Sequence, residues 1–437
     1  MRKVRDAILL VFIPLILLCA IAYLIPAVRS RVDWRVEQVR LQVRYALFPP
    51  EEAVFTPQDQ DQVAAIVQST LQALTPSPTA TPTITPTWTP GPTQPPTVTP
   101  TPTLSPTPIP NAVKLTGVRY VDQHGKYNYC APANMAMALN YWGWQGTRDE
   151  LGQMVKPFER DLNVMPYELV DYVNQNTMYR AIWRAGGTPD LVKKMVAAGF
   201  PMLLERGAYM RDLTGKVSWM GHYQVVTGYD DTRGRFITQD SFYNADFPVS
   251  YEEMQAGWRA FNYVFLVVYP PEREAEVSAL LGDYWDEEKA TRIALKTAEQ
   301  EMQALSGVDR YFATYNRGTS LVNLQDYIGA ASTYDSAFGL YEDLQTNQRP
   351  WRMVWYQTGP YFAYYYSGRY QDLIDLASLT IKNANNPYLE ETYYWRGLGY
   401  LMVGKQDDAV ADFYTALEYH PNFGPATAQL QYLGLAP

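Results

Sequence analysis

The chain has little cysteine and little histidine, with two cysteines and three histidines among 437 residues. Cys19 lies in an apolar segment, so a disulfide with Cys130 is not expected, and a disulfide-stapled fold is excluded. One cysteine and scattered histidines also make no cluster with metal-ligand spacing. The sequence therefore predicts neither a metal nor an organic cofactor.

Basic residues form no stripe outside the N-terminus, and the formal net charge is -9. Proteins that bind nucleic acid usually carry a basic patch, so nucleic acid is not expected as a partner. Aromatic residues are plentiful instead, with 35 tyrosines and 11 tryptophans. Such rings supply rigid core and contact area, which favours well-packed domains.

Residues 1–30 are predicted to direct the chain to a membrane. Arg2, Lys3 and Arg5 precede an apolar run from Ala7 to Val28, about the 20 residues that a helix needs to cross a bilayer. The length of the run favours an uncleaved signal anchor, with a cleaved signal peptide as the alternative. Positive charge on both sides of the run leaves its orientation open.

Residues 31–74 are predicted to be a juxtamembrane helical segment. Valines recur there near helical spacing, at Val32, Val36, Val39 and Val43. They predict a helix over 31–48 that Pro49 and Pro50 end, either as an extension of the span or as an amphipathic helix on the lipid surface. A second short helix is expected over 63–71.

Residues 75–110 consist almost entirely of threonine, proline and serine, without a charged residue. Such a segment cannot bury a core, so a disordered linker is predicted, reaching on the order of 100 Å if extended. A flexible tether and an O-glycosylated stalk both fit this composition. Either suits a location outside the cytoplasm, which favours a cell-membrane protein with its later domains outside.

Residues 111–271 are predicted to form the first globular domain. Helices are expected from Cys130 onward and over 148–155, 167–174 and 189–198. Strands are expected over 200–205, 222–228, 235–239 and 261–269, with a hairpin between the second and third of them. Helices first and antiparallel strands later indicate an α+β fold.

Residues 272–437 show a helical pattern with internal repetition. The last copy has Tyr393, Gly397, Tyr400, Gly404, Ala409, Phe413, Ala416 and Pro421. An earlier copy has Gly318, Leu321, Ala330, Tyr334 and Ala337, and a looser middle copy has Tyr364, Gly368 and Pro387. The spacing resembles that of the tetratricopeptide (TPR) family, which implies stacked helix pairs with a groove for a protein partner or substrate segment. The alternative is that these helices only buttress the first domain.

Cys130 opens a predicted helix whose next residues are Ala131 and Pro132. A helix N-terminus and a neighbouring imidazolium both lower the pKa of a thiol, and the thiolate is the nucleophilic form. A buried packing cysteine is the alternative for an isolated thiol, but the residues elsewhere in this domain favour chemistry.

His222 begins a predicted strand, and Asp240 ends the next one. An imidazole there would accept the Cys130 proton, and the carboxylate would orient the ring. Asp230 and Asp231 are expected to serve the hairpin turn instead. Gln123 is expected to donate its side-chain N–H to an oxyanion, beside the backbone N–H of Cys130.

These residues resemble those of the peptidases that process bacteriocin leaders at double-glycine sites, and more closely their stand-alone relatives. That family has a glutamine before a Cys-Gly-Pro-Ala run, a Gly-His strand and a following strand that ends in Asp-Pro. The resemblance implies a papain-like fold with Gln123, Cys130, His222 and Asp240 in the catalytic roles.

Two positions depart from the family pattern, because Ala131 replaces a glycine and Ser241 replaces a proline. Neither is expected to touch a reacting atom. The leader peptidases are fused to transporter ATPases, whereas this chain has no Gly-rich phosphate loop and one predicted span. Specificity for double-glycine leaders is therefore not carried over.

The sequence thus predicts a membrane-anchored extracytoplasmic cysteine peptidase with a protein or peptide substrate. Two alternatives remain open. One is an inactive peptidase-like scaffold that binds peptides, and the other is an amide hydrolase or transferase that uses the same triad.

Overall fold

The structure is a computed structural model, and it describes residues 21–58, 109–212, 214–384 and 387–436. Several sequence predictions lie outside these residues: most of the apolar N-terminal run, the short helix over 63–71 and nearly all of the Thr/Pro-rich linker. These three remain predictions. The described residues form a domain built around one sheet and a second domain built of helices.

One helix, α1 (Pro26–Leu47), precedes both domains in the chain. It ends just before Pro49 and Pro50, as the sequence predicts, because proline has no N–H with which to continue a helix. Val36 is 62% exposed, whereas Leu41 is buried against the rest of the molecule. Of the helices within residues 21–58, 109–212, 214–384 and 387–436, none is both long and apolar enough to span a bilayer.

The sheet domain contains seven antiparallel strands. They are β1 (Ala112–Lys114), β2 (Arg180–Arg184), β3 (Met202–Arg211), β4 (Val217–Asp230), β5 (Arg235–Gln239), β6 (Phe247–Ser250) and β7 (Phe265–Tyr269). Their order in the sheet is β2-β7-β3-β4-β5-β6, and β1 pairs with β4. The long strand β4 therefore lies between β3 and β5 near the centre of the sheet.

Helices cover both faces of this sheet. They are α2 (Cys130–Tyr141), α3 (Arg148–Val155), α4 (Pro166–Asn176), α5 (Pro189–Ala197) and α6 (Tyr251–Arg259). Neighbouring strand residues point to opposite faces, so Val225 and Leu266 pack in the core with α2, α3 and α4. Val226 and Val267 pack in a second core with α5. Burial on both faces explains why these strands are almost continuously apolar.

The predicted α+β class and the hairpin between β4 and β5 are both present in this domain. Asp230 serves the hairpin turn, as expected, and its carboxylate accepts hydrogen bonds from the backbone N–H groups of Thr232 and Arg233. The strands β3 and β4 are longer than predicted, because all of β3 pairs with residues 217–226 of β4.

The predicted strand over 261–269 is wrong in its first half. Asn262 and Tyr263 have φ values of 51° and 55°, which no strand residue adopts, and β7 begins only at Phe265. The aromatic residues of this segment favoured a strand but instead form a buried turn. The sequence analysis also missed β1, β2, β6 and α6.

The helical domain follows with ten helices among its described residues. They are α7 (Glu274–Leu281), α8 (Glu287–Ala304), α9 (Gly307–Asn323), α10 (Tyr327–Asp343), α11 (Met353–Tyr356), α12 (Gly359–Tyr366), α13 (Tyr370–Asn383), α14 (Glu390–Met402), α15 (Gln406–Tyr419) and α16 (Gly424–Tyr432). From α8 to α10 and from α12 to α16, each helix packs against the next in chain order.

Three of the helix pairs share the same turn. Gln325, Gly368 and Gly404 stand at equivalent places between their helices, with φ values of 63°, 78° and 78°. Gly318 and Gly397 also share a packing role. A Cβ on either residue would come within 2.7 Å of an aromatic ring on the paired helix, so each glycine lets the two helices approach closely. The repetition seen in the sequence thus corresponds to repeated close packing of helices.

Buried polar contacts join the two domains. Arg352, just before α11, donates to the Asp212 carboxylate (3.0 Å) and to the Ser218 hydroxyl (2.6 Å). Arg259 at the end of α6 pairs with Glu301 of α8 at 3.0 Å. Since a buried charge without its partner is costly, these pairs fix how the helices sit against the sheet domain.

Candidate active site

Cys130 is the first residue of α2. Two positions earlier, Asn128 has a φ of 44°, which turns the chain sharply before the helix begins. The rest of α2 is buried from Ala131 to Leu139, whereas Cys130 is partly exposed. Its thiol therefore sits at the positive end of a helix dipole, a position that stabilises a negative charge.

His222 lies in the middle of β4, and Asp240 directly follows β5. The pairing of these two strands brings the side chains together, with His222 Nε2 at 3.0 Å from Asp240 Oδ1. Both residues are buried, with 2% and 0% exposure. The other ring nitrogen of His222 is left for the Cys130 thiol, with which the ring forms a hydrogen-bonded pair.

The two partners shift each other's proton affinity. Burial opposes charge on the Cys130 thiol, but the hydrogen bond and positive charge of His222 outweigh it, so the pKa of the thiol lies below its usual value. Burial also opposes charge on His222, but the Asp240 carboxylate and the thiolate raise the pKa of the ring to about 10. The thiolate–imidazolium form is therefore favoured near neutral pH.

Asp240 is held as an anion by several donors. Its Oδ1 accepts the backbone N–H groups of Phe242 (2.8 Å) and Tyr243 (3.1 Å), and its Oδ2 accepts the side-chain amide of Gln224. Burial alone would raise the pKa of Asp240, but the His222 charge and these hydrogen bonds lower it to about 2. Gln224 was missed in the sequence, although it stands two residues after His222 on the same strand face.

Gln123 is joined to this centre through Ser241. The backbone N–H of Gln123 donates to the Ser241 carbonyl (2.9 Å), and the Ser241 hydroxyl donates to Gln123 Oε1 (2.7 Å). Ser241 is expected to touch no reacting atom, and these two contacts do not contradict that expectation. They join Ser241 to the predicted oxyanion donor instead.

Asn134 of α2 fixes the direction of these hydrogen bonds. Its side-chain amide nitrogen lies 2.9 Å from the Cys130 carbonyl and 2.7 Å from the Tyr223 carbonyl, so it must be the donor end. The same nitrogen lies 2.7 Å from the Ser241 hydroxyl, so its two protons are shared among three acceptors, and the hydroxyl donates its own proton to Gln123 Oε1. The Nε2 end of Gln123 is thereby directed away from Ser241.

A cavity of about 1110 Å³ opens at Cys130, and all three parts of the structure line it. The sheet domain contributes Gln123, Cys130 and His222, α1 contributes Leu41 and Tyr45, and the helical domain contributes Trp355 and Tyr356. A Cβ at Gly221 would lie 2.8 Å from the Phe261 ring and 3.1 Å from the Tyr356 ring, so the glycine before His222 makes room for a ring of each domain. The cleft is thus incomplete without α11.

Glu205 on β3 also lines the cavity, and sequence reasoning gave no signal for it. It is 4% exposed, and burial raises its pKa well above the usual range of a carboxyl group. A neutral carboxylic acid both donates and accepts hydrogen bonds, so Glu205 adds a polar but uncharged group to the cavity wall.

The remaining histidines lie elsewhere. His124 is in an exposed loop, where its ring contacts the Asp122 carboxylate at 2.6 Å. His420 follows α15 in the helical domain and contacts Glu390 at 3.3 Å. Within the described part of the chain, His222 is the histidine that lies beside Cys130.

Residues 115–265 match the model of the Peptidase_C39 like family. The chain therefore contains a C39-like peptidase domain, and the match supports a cysteine peptidase-type function for it. The matched segment contains all four candidate site residues, Gln123, Cys130, His222 and Asp240.

Among solved structures, the chain is similar to the crystal structure of a candidate C39-like peptidase from Bacillus anthracis. The sequence identity is 17%, and the alignment covers 36% of this chain and 96% of that one. The TM-score is 0.30, so this similarity carries no argument by itself. No curated protein sequence matches the chain.

The site predicts the pH dependence of thiol alkylation. In a Cys19→Ser protein, Cys130 is the remaining thiol, and its rate of reaction with iodoacetamide can be measured against pH. The midpoint of this curve should lie below about 8.5, the ordinary thiol pKa. His222→Ala removes the partner that stabilises the thiolate, so its midpoint should lie at higher pH. The control is the Cys19→Ser protein unfolded in guanidinium. Equal midpoints for its folded and unfolded states would contradict the lowered pKa of Cys130.

Proposed function

We propose that the chain is a membrane-anchored, extracytoplasmic cysteine peptidase that hydrolyses peptide bonds through Cys130, His222 and Asp240. The observation that carries this proposal is the buried contact of the His222 ring with Asp240 at 3.0 Å on one side and with the Cys130 thiol on the other. The C39-like domain supports the same class of chemistry.

In the first step, the Cys130 thiolate attacks the scissile carbonyl carbon and forms a C–S bond. The carbonyl oxygen becomes an oxyanion, which the backbone N–H of Cys130 and the Nε2 amide of Gln123 would stabilise. Protonated His222 then donates its proton to the leaving nitrogen as the C–N bond breaks. The products of this step are an amine and a thioester on Cys130.

In the second step, neutral His222 accepts a proton from water, and the hydroxide equivalent attacks the thioester. Collapse of the second tetrahedral intermediate breaks the C–S bond, releases the carboxylic acid and restores the thiolate–imidazolium pair. Against the effect of burial, the charge and hydrogen bond of His222 lower the pKa of Asp240 to about 2, so its role is to orient the ring and stabilise the imidazolium.

An inactive peptidase-like scaffold is the main rival function. It is less well supported, because the candidate nucleophile, base and amide donor line one cavity, and the orienting carboxylate contacts the base from behind. Amide transfer by the same residues differs only in what attacks the thioester, so product analysis has to separate it from hydrolysis.

We assign the helical domain two tasks in this proposal. The repeated turn and glycine packing support TPR-like helix pairs that dock a partner or substrate segment. Trp355 and Tyr356 also line the cavity, which supports direct contact between this domain and the substrate. The anchor and the Thr/Pro-rich linker would hold both domains outside the cytoplasm.

Peptide hydrolysis is tested by incubating the full-length protein with a peptide library in water enriched in ¹⁸O. We expect new peptide C-termini that carry one ¹⁸O atom, because water resolves the thioester. A Cys130→Ala protein should give none of them, whereas a Cys19→Ser protein should match the wild type. The measurement is mass spectrometry of the peptides, with and without an added amine acceptor.

Two outcomes would contradict the proposal. Equal cleavage by the wild type and the Cys130→Ala protein would exclude Cys130 as the nucleophile. Acceptor-linked products without ¹⁸O-labelled termini would show that the enzyme is a transferase.

Ser241 is expected to affect turnover without affecting the thiol. Ser241→Ala frees the Gln123 amide to rotate, so kcat for peptide hydrolysis should fall about 10-fold, less than the loss of about 100-fold expected for Gln123→Ala. Alkylation of Cys130 by iodoacetamide needs no oxyanion donor, so its rate should stay unchanged. Ser241→Thr keeps the hydroxyl and should restore kcat, whereas an equal loss in the Ala and Thr variants would contradict the positioning role.

A further inference from the structure

A cluster of carboxyl groups is buried where the sheet domain meets the helical domain. Asp161 and Glu168 come from the sheet domain, and Glu390 and Glu391 come from the start of α14. His420, which follows α15, faces the same cluster. Asp161 and Glu390 are each 1% exposed, so water does not screen their charges.

Two oxygen atoms of this cluster have no hydrogen-bond partner. Asp161 Oδ1 accepts the backbone N–H of Asn163 at 3.1 Å, but no donor in the described part of the chain reaches Oδ2. Glu390 Oε1 meets the His420 ring at 3.3 Å, but Oε2 is likewise without a donor. Buried carboxylate oxygens are rarely left in this state, so both atoms point to a missing positive group.

The nearby Lys156 does not supply that group. Its ammonium donates to the backbone carbonyls of Tyr127 (2.9 Å), Asn128 (3.4 Å) and Asp161 (2.7 Å). An ammonium has three protons, and these three carbonyls use all of them. The cluster therefore contains more carboxyl groups than the one ammonium that lies beside it.

We propose that this cluster binds one divalent cation of the zinc class. The ligands are a carboxylate oxygen of Asp161, a carboxylate oxygen of Glu390 and a ring nitrogen of His420. Candidate ligand atoms of these three residues lie within 4.8 Å of one another. Glu168 can provide a fourth ligand, because its Oε1 lies 4.0 Å from His420 Nδ1.

The donor set selects the metal. An imidazole nitrogen beside carboxylates suits zinc and other late first-row cations, whereas calcium and magnesium prefer oxygen ligands alone. Zinc binds such ligands at about 2.0–2.2 Å, so the ligand atoms of a tetrahedral site lie about 3.4 Å apart. His420 Nδ1 and Glu390 Oε1 already have this spacing, at 3.3 Å. The other candidate ligand atoms lie within 4.8 Å, so they have to move closer by at most about 1.4 Å around the ion.

Such an ion would connect the wall of the cleft to the helical domain. Asp161 directly precedes Leu162 and Asn163, which line the cavity at Cys130. Glu390 and His420 belong to the ends of α14 and α15. The sequence gave no sign of this site, because the three ligands are far apart in the chain and share no short motif. The ion would have a structural role, which is independent of peptidase activity.

The test is calorimetric titration with zinc chloride of a full-length protein that carries Cys19→Ser and Cys130→Ala, since this background removes both thiols as competing ligands. We expect one zinc ion per chain and a rise of the melting temperature by about 5 °C at 100-fold excess over the dissociation constant. The further changes Asp161→Asn and Glu390→Gln should together weaken binding at least about 100-fold. His420→Ala should weaken it at least about 10-fold.

A matched control removes two exposed carboxylates from the same helical domain, Asp407→Asn with Glu418→Gln, and should bind zinc like the parent protein. In EDTA, Asp161→Asn with Glu390→Gln should melt no lower than the parent, because the change removes buried repulsion. This result distinguishes lost binding from misfolding. Absence of one-to-one binding in the parent, or equal binding by the Asp161/Glu390 variant, would overturn the proposal.

Discussion

The contact between the Cys130 thiol and the His222 ring is the interaction on which the candidate site depends. A thiol in a partly buried cavity would normally keep its proton, and a buried imidazole would normally lose its proton. Each is charged here because the other is charged, and Asp240 stabilises the cation from the far side. The start of α2 positions Cys130, and the paired strands β4 and β5 position His222 and Asp240.

The cleft is shared by parts of the chain that are distant in sequence. The sheet domain supplies the reactive groups, whereas α1 and the helical domain supply walls near Tyr45 and Tyr356. The buried Arg352–Asp212 pair at 3.0 Å and the proposed cation site hold this arrangement from two sides. The helices therefore complete the cleft and also buttress the sheet domain, in addition to any partner that they bind.

Short-range patterns in the sequence predicted much of this structure. The helix that starts at Cys130, the hairpin after Asp230 and the glycine packing at Gly397 each follow from a few neighbouring residues. Side-chain networks could not be predicted in the same way. The link from Asn134 through Ser241 to Gln123, and the meeting of Asp161 with His420, depend on tertiary contacts that no local period encodes. The predicted strand at Phe261 failed because burial favours aromatic residues in turns as well as in strands.

The most direct test of the account is the mass of the acyl-enzyme. The full-length protein would be mixed with a peptide ester, quenched in acid within seconds and digested for mass spectrometry. The account predicts that the acyl group is carried by Cys130 as a thioester and that acylation is slower by orders of magnitude in a His222→Ala protein. Acylation at another residue, or at an equal rate without His222, would contradict it.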